Sequence, residues 1–173
     1  MKITDLKKYI RDIPNFPKEG IIFKDISTLI KDPAAFKKSI DTLAGTYKNQ
    51  RVQYVVGVEA RGFIFGAALA YKLGAGFIPV RKKGKLPYKT KKVTYQLEYG
   101  VDTLEIHEDA IAPKARVLVV DDLLATGGTV KAVIDLLKEQ KAKIVGVAFL
   151  VELAFLKGKE KLKDLPIYSV IKY

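Results

Sequence analysis

Cysteine and tryptophan are absent from this 173-residue chain, and histidine and methionine occur once each. Without cysteine there is no disulfide framework, no thiolate metal site and no cysteine nucleophile. The lone histidine, His107, argues against a histidine-rich metal centre or a Ser-His-Asp triad, and nothing around it supplies a base, metal or partner. Long apolar runs are missing too. The longest uncharged stretches, residues 62–71 and 144–151, fall short of the roughly 18–20 residues of a membrane span. The N-terminal residues are charged and lack the apolar core of a secretory signal, so a cytoplasmic protein that does not meet a membrane is expected. Acids are scarce, 19 against 31 basic residues, which gives a formal charge of +12. Such an excess calls for an anionic partner or a tolerance of self-repulsion. Hydrophobic residues at 49% and charged residues at 29% exclude disorder as the main state. The length suits one domain spanning 1–173.

Strand and helix patterns alternate along the chain. The spacing of Ile3, Leu6, Ile10 and Ile13 predicts a short amphipathic helix over 2–12. Asp32-Pro33 predicts a cap and first turn for a helix running to about Tyr47, with Phe36, Ile40, Leu43 and Tyr47 on one face. Apolar runs predict strands over 54–58, 77–80, 116–120, 143–151 and 167–171, and helices over 62–73 and 128–140. Alternation over 93–97 and 103–107 predicts a hairpin arm. Between strand and arm lies a basic, structureless loop, 81–92. It carries Arg81, Lys82, Lys83, Lys85, Lys89, Lys91 and Lys92, with Gly84 and Pro87 as breakers. The alternation implies an α/β fold, with a mostly parallel twisted sheet flanked by helices.

One segment carries most of the chemistry. The apolar run 117–120 leads into Asp121-Asp122, then Leu123-Leu124-Ala125-Thr126-Gly127-Gly128-Thr129, then a helix. Free N–H groups at a helix N-terminus favour an anion. Glycines let the backbone approach it, and Thr126 and Thr129 add hydroxyl donors. Residues 125–129 are thus suited to a phosphate. Carboxylates beside a phosphate need other partners, and either vicinal ribose hydroxyls or Mg²⁺ would serve. The two commoner phosphate motifs fail. Phe63 stands where the Walker lysine belongs, and Gly74-Ala75-Gly76 lacks its third glycine.

The segment 119–129 is similar to the phosphoribosyl pyrophosphate (PRPP) signature of the type I phosphoribosyltransferase family. Further segments resemble the adenine-using members of that family. These are Phe16-Pro17 with Gly20-Ile21-Ile22-Phe23-Lys24-Asp25-Ile26, then Lys31-Asp32-Pro33; Gly57-Val58-Glu59-Ala60-Arg61-Gly62-Phe63; Arg81-Lys82 with Gly84-Lys85-Leu86-Pro87; Leu97-Glu98-Tyr99-Gly100, followed by Leu104-Glu105-Ile106; and Val151-Glu152-Leu153 with Leu156-Lys157-Gly158. They cover essentially the whole chain in the family's order. The resemblance implies the family fold, with a flexible hairpin lid and a small N-terminal base-binding region. It implies purine salvage: adenine and PRPP give AMP and pyrophosphate. Asp121 and Asp122 would hold the ribose, and Leu124, Ala125, Thr126, Gly127, Gly128 and Thr129 the 5′-phosphate. Glu59, Ala60, Arg61, Arg81, Lys82 and Lys85 would face the pyrophosphate, with a cis peptide near Glu59-Ala60. Ile22, Phe23, Lys24 and Leu153 would hold adenine. Glu98, Tyr99 and Arg61 would be the catalytic residues, with Glu98 managing the proton of the base. Mg²⁺ would arrive on PRPP rather than in a protein cage, and a homodimer is implied. No nucleic-acid partner is expected. Two alternatives stay open: a hypoxanthine or xanthine enzyme, and an RNA-binding regulator on the same fold.

Overall fold

The computed structural model describes residues 2–96 and 100–173, the Thr4 side chain excepted. The chain begins with a 3-10 turn, Ile3–Tyr9, and an antiparallel pair, β1 (Arg11–Pro14) and β2 (Ile22–Asp25). The expected 2–12 helix is therefore shorter and tighter. Leu6 and Ile10 still reach the core, but Ile13 is only half-buried, on a strand opposite Phe23. Spacing that fitted a helix is met by a turn followed by extended chain. Two ion pairs stitch the hairpin, Arg11 to Asp25 and Lys24 to Asp12. A short helix, α1 (Ser27–Lys31), escaped the sequence reading because it is little more than one turn. Next comes α2 (Pro33–Tyr47), capped by the Asp32 carboxylate, which accepts from the Ala35 N–H at 2.8 Å.

Strand β3 (Tyr54–Val58) leads through α3 (Gly62–Leu73) to β4 (Gly76–Lys82). β5 (Thr90–Gln96) and β6 (Val101–His107) form the arm, and β7 (Arg116–Leu124) leads through α4 (Gly128–Glu139) to β8 (Lys143–Glu152) and β9 (Ile167–Lys172). The sheet order is β5-β6-β4-β3-β7-β8-β9. Strands β4, β3, β7, β8 and β9 run parallel, and β6 and β5 add antiparallel at one edge.

Period-two alternation sorts the core. Val55, Leu118, Val120, Ala148 and Leu150 face α2 and α3 through Leu43, Phe65 and Leu69. Val56, Val117, Val119, Val147 and Phe149 face α4 through Val130, Val133 and Leu137. Helices thus cover both faces, which is why the central strands are apolar throughout.

Two expectations need correction. β7 does not stop before its acids. Asp121 pairs with Phe149, and Leu123 with Val151, because β8 is equally long and continues the backbone ladder past the apolar run. The basic segment is also less irregular than expected: Arg81 and Lys82 end β4, and Lys91 and Lys92 lie on β5. No helix among the described residues is long and apolar enough to cross a membrane.

Candidate active site

β3 and β7 are neighbours, yet β3 passes its chain outward to β4 and β7 passes it the other way to β8. The crevice beyond the carboxyl ends of such diverging strands is where open α/β sheets bind ligands. It collects Glu59, Ala60 and Arg61 after β3, Lys82 at the end of β4, and Asp121 and Asp122 in β7. These residues, with Tyr95, Asp102 and Thr129, line a cavity of about 460 Å³.

Residues 125–129 wrap a second hollow of about 80 Å³ at the start of α4, contiguous with the first through Asp121 and Thr129. Gly127 is left-handed, φ +78°, and a Cβ there would lie 2.6 Å from the Gly158 carbonyl oxygen. The loop is thereby pressed close against the chain that follows β8. A hollow at a helix N-terminus is a geometry that suits an anion.

The acid pair is tightly placed. Asp121 accepts from the Asp122 N–H at 2.9 Å, and Arg61 Nε lies 2.8 Å from Asp122 Oδ2. A Cβ at Gly62 would stand 2.7 Å from Asp121 Oδ1, so only glycine lets α3 begin against the carboxylate. Burial, then repulsion from Asp122, pushes the Asp121 carboxyl well above its usual range. Burial raises Asp122 as well, although the Arg61 guanidinium works against it. Such carboxylates are poorly solvated acceptors in need of donors.

Across the crevice a basic turn is clipped down by two carboxylates. Glu59 takes both sides of the Arg81 guanidinium, at 3.1 and 3.3 Å, and the Lys82 N–H at 2.9 Å. Burial disfavours its charge, but these donors win and hold it below the usual glutamate range. Arg81 then donates to the Lys85 carbonyl at 3.1 Å. Buried Glu105 accepts from the Gly84 N–H at 2.9 Å. Lys82 pairs with Asp102 at 3.3 Å. The Glu59–Ala60 peptide is cis, as the resemblance implied.

The residues expected around the base are gathered more loosely. Phe23 packs edge-on to Phe16, ring centroids 5.2 Å apart. The Arg61 guanidinium lies 5.3 Å from the Phe23 ring centre, which joins the base side to the acid pair. Ile22 is exposed. The Lys24 ammonium is spent on Asp12 and on the face of Tyr173. Leu153 donates its N–H to the Leu124 carbonyl and packs on the core beside Leu123. Glu98 and Tyr99 lie outside the described residues.

Two participants carried no signal of their own: Tyr95 reaches Thr129, and Asp102 holds Lys82. Glu105, which holds Gly84, and Gly158, which lies behind Gly127, fall in segments that carry the resemblance, but their contacts follow from which elements pack together. His107 sits on the far end of β6 with Tyr88 at its ring edge, 6.2 Å away, and takes no place in the site.

Residues 26–172 match the model of the phosphoribosyl transferase domain. The chain is 61% identical to the adenine phosphoribosyltransferase of Syntrophotalea carbinolica, over 99% of this chain and all of that protein. Among solved structures, adenine phosphoribosyltransferase from Thermoanaerobacter pseudethanolicus superposes with a TM-score of 0.96 at 49% identity, covering 99% of this chain and 100% of that one. The enzyme from Saccharomyces cerevisiae, complexed with an imino-altritol bisphosphate and adenine, superposes with a TM-score of 0.91 at 42% identity, covering 97% of each. With the same fold and matches along nearly its full length, the chain belongs to the phosphoribosyltransferase family, on the branch of the adenine phosphoribosyltransferases.

Proposed function

We propose that this chain transfers the phosphoribosyl group of PRPP to adenine, releasing AMP and pyrophosphate. The observation that carries this most is the pairing of two hollows. The hollow at 125–129 shares Asp121 and Thr129 with a larger cavity lined by the acid pair, by Arg61 against it, and by Lys82. One ligand with a phosphate at one end, two hydroxyls in the middle and a polyanion at the far end satisfies all three.

In this assignment the adenine N9 bonds to ribose C1 as the bond from C1 to the pyrophosphate oxygen breaks. The N9 proton passes toward Glu98, and Tyr99 closes the site. The ring turns positive as the leaving group turns negative, so the protein's contribution is chiefly placement and fixed charge. Asp121 and Asp122 accept the ribose hydroxyls. Arg61, Lys82 and Lys85 face the pyrophosphate, and Glu59 acts by orienting Arg81. Phe23 and Leu153 flank the base, whose edge meets the backbone of residues 22–24. Among the described residues no cluster of three or more acids and histidines is placed to hold a metal alone. As the resemblance implies, Mg²⁺ would arrive on the oxygens of PRPP and would supply further positive charge to the leaving group. The working unit is one domain, 1–173, in a cytoplasmic homodimer, for which exposed Ile64 and Tyr71 on α3 provide apolar surface.

Incubation with PRPP, Mg²⁺ and each purine base in turn tests the assignment. AMP should form from adenine at a rate far above that of any nucleotide from hypoxanthine or xanthine. Preference for another base, or no nucleotide at all, would overturn it.

A further inference from the structure

Among the described residues, the arm and the phosphate cradle touch through one polar contact. The Tyr95 hydroxyl, on β5, donates to Thr129 Oγ1 in the first turn of α4 at 3.3 Å. Tyr95 is half-buried in the wall of the large cavity, and Thr129 lines both hollows. A threonine hydroxyl has one proton and two lone pairs. When Tyr95 fills a lone pair, the Thr129 proton is left to point elsewhere, and the hollow at 125–129 is beside it. Donation in a chain also strengthens the next bond, because each hydroxyl polarises the one after it. Across the arm, Tyr95 stands opposite Asp102 in register, and Asp102 pairs with Lys82. The contact therefore lies on a line from the pyrophosphate side of the crevice to the 5′-phosphate side. Burial raises the Tyr95 phenol above its usual value, so it stays a donor throughout the working pH range.

We propose that Tyr95 is a positioning residue that turns the Thr129 hydroxyl onto the 5′-phosphate of PRPP and ties the arm to the cradle. The proposal rests on the phosphoribosyl assignment above and adds to it a residue outside the cradle.

Ribose 5-phosphate and inorganic pyrophosphate serve as probes, since each carries one end of PRPP and neither needs turnover. Calorimetric titration of Tyr95→Phe should show ribose 5-phosphate bound about three- to tenfold more weakly, the worth of one ordinary hydrogen bond. Pyrophosphate affinity should be unchanged. In steady state the KM for PRPP should rise by a similar factor, with kcat within about twofold. Placed on Thr129→Ala, the same change should add little, because the group it orients is gone. Thr129→Ser, which keeps the hydroxyl, should retain the sensitivity to Tyr95→Phe. Equal losses for both probes would mark a general loosening of the fold, and additive losses with Thr129→Ala would deny the coupling. Either result overturns the proposal. An enzyme that makes AMP and is indifferent to Tyr95→Phe overturns this inference alone. A wild-type chain that neither makes AMP nor binds ribose 5-phosphate overturns the assignment beneath it.

Discussion

In the proposed assignment, Arg61 stands where the ribose, the leaving group and the base would meet. Its guanidinium lies against Asp122 and above Phe23 at once. Arg61→Ala should lower kcat/KM by about 10²–10³, the usual loss for one preorganised charge partner. Arg61→Lys should recover only part of this, since an ammonium has no fork to span two acceptors. Steady-state kinetics with both variants would expose the error if either stayed near wild type. The acid pair makes a second prediction, about pH. Its carboxyls are pushed above their ordinary values in the folded chain, so the folded state keeps a proton that the unfolded chain, with Asp near 3.9, has given up. Stability is thus lost as pH rises from about 4 through the raised values, and Asp121→Asn should flatten that loss. Thermal melts of the unliganded protein across pH 4–8 would show parallel curves for the two proteins if the pair were ordinary. The placement of Asp121 and Thr129 at the crevice was legible from residue type beside a glycine turn. The Arg61–Asp122 contact was not, because it requires β3 to lie next to β7, and nothing local in residues 59–61 says so.

Elements decide how firmly the site is held. The basic turn between β4 and β5 looked like a loose loop, since glycine, proline and lysine alone suggest nothing else. Its rigidity comes from carboxylates on other strands. Glu105→Ala should leave the Gly84 N–H without its acceptor and cost about 1–3 kcal/mol of stability, together with a raised KM for PRPP. Glu105→Gln retains an acceptor oxygen and should restore most of both. Denaturant melts paired with kinetics would sink the idea if Gln proved as damaging as Ala. The phosphate cradle depends on glycine in the same way from behind. Gly158→Ala would drive a methyl into the Ala125 carbonyl, and overpacking of this kind costs about 1–3 kcal/mol. The change should weaken ribose 5-phosphate more than pyrophosphate, and equal weakening of both in a calorimetric titration would count against it. Strand ends explain the remaining mismatch. An apolar run marked the start of β7 correctly but not its finish, because a backbone ladder continues wherever the neighbouring strand is long enough, whatever the side chains.

For the molecule as a whole, the charge of +12 gains a direction. Lys82, Lys83 and Lys85 are exposed on the rim of the crevice, where a polyanionic substrate would enter. Charges gathered at a cleft raise the encounter rate with an opposite ion, and salt screens them over about 10 Å at 0.1 M. The KM for PRPP should therefore climb severalfold between low and moderate KCl, while the KM for adenine, which is neutral, stays level. A flat PRPP profile would leave the charge without a kinetic role. Alternating strands and helices made the fold class readable from the sequence. The strand order was not readable, and the order alone brings residues 59–61 beside 121–122.

Gly158 also has a meaning in time. The acids of β7 and the cradle at 125–129 leave the ribosome well before the segment that braces them from behind. Until Gly158 and β9 have emerged and folded against β8, the growing chain can display every group that would touch a phosphate without the support that shapes them into a socket. Affinity for the substrate is thus acquired late in synthesis, when the last strand docks. A fragment ending after α4 should carry the signature sequence intact and bind ribose 5-phosphate poorly.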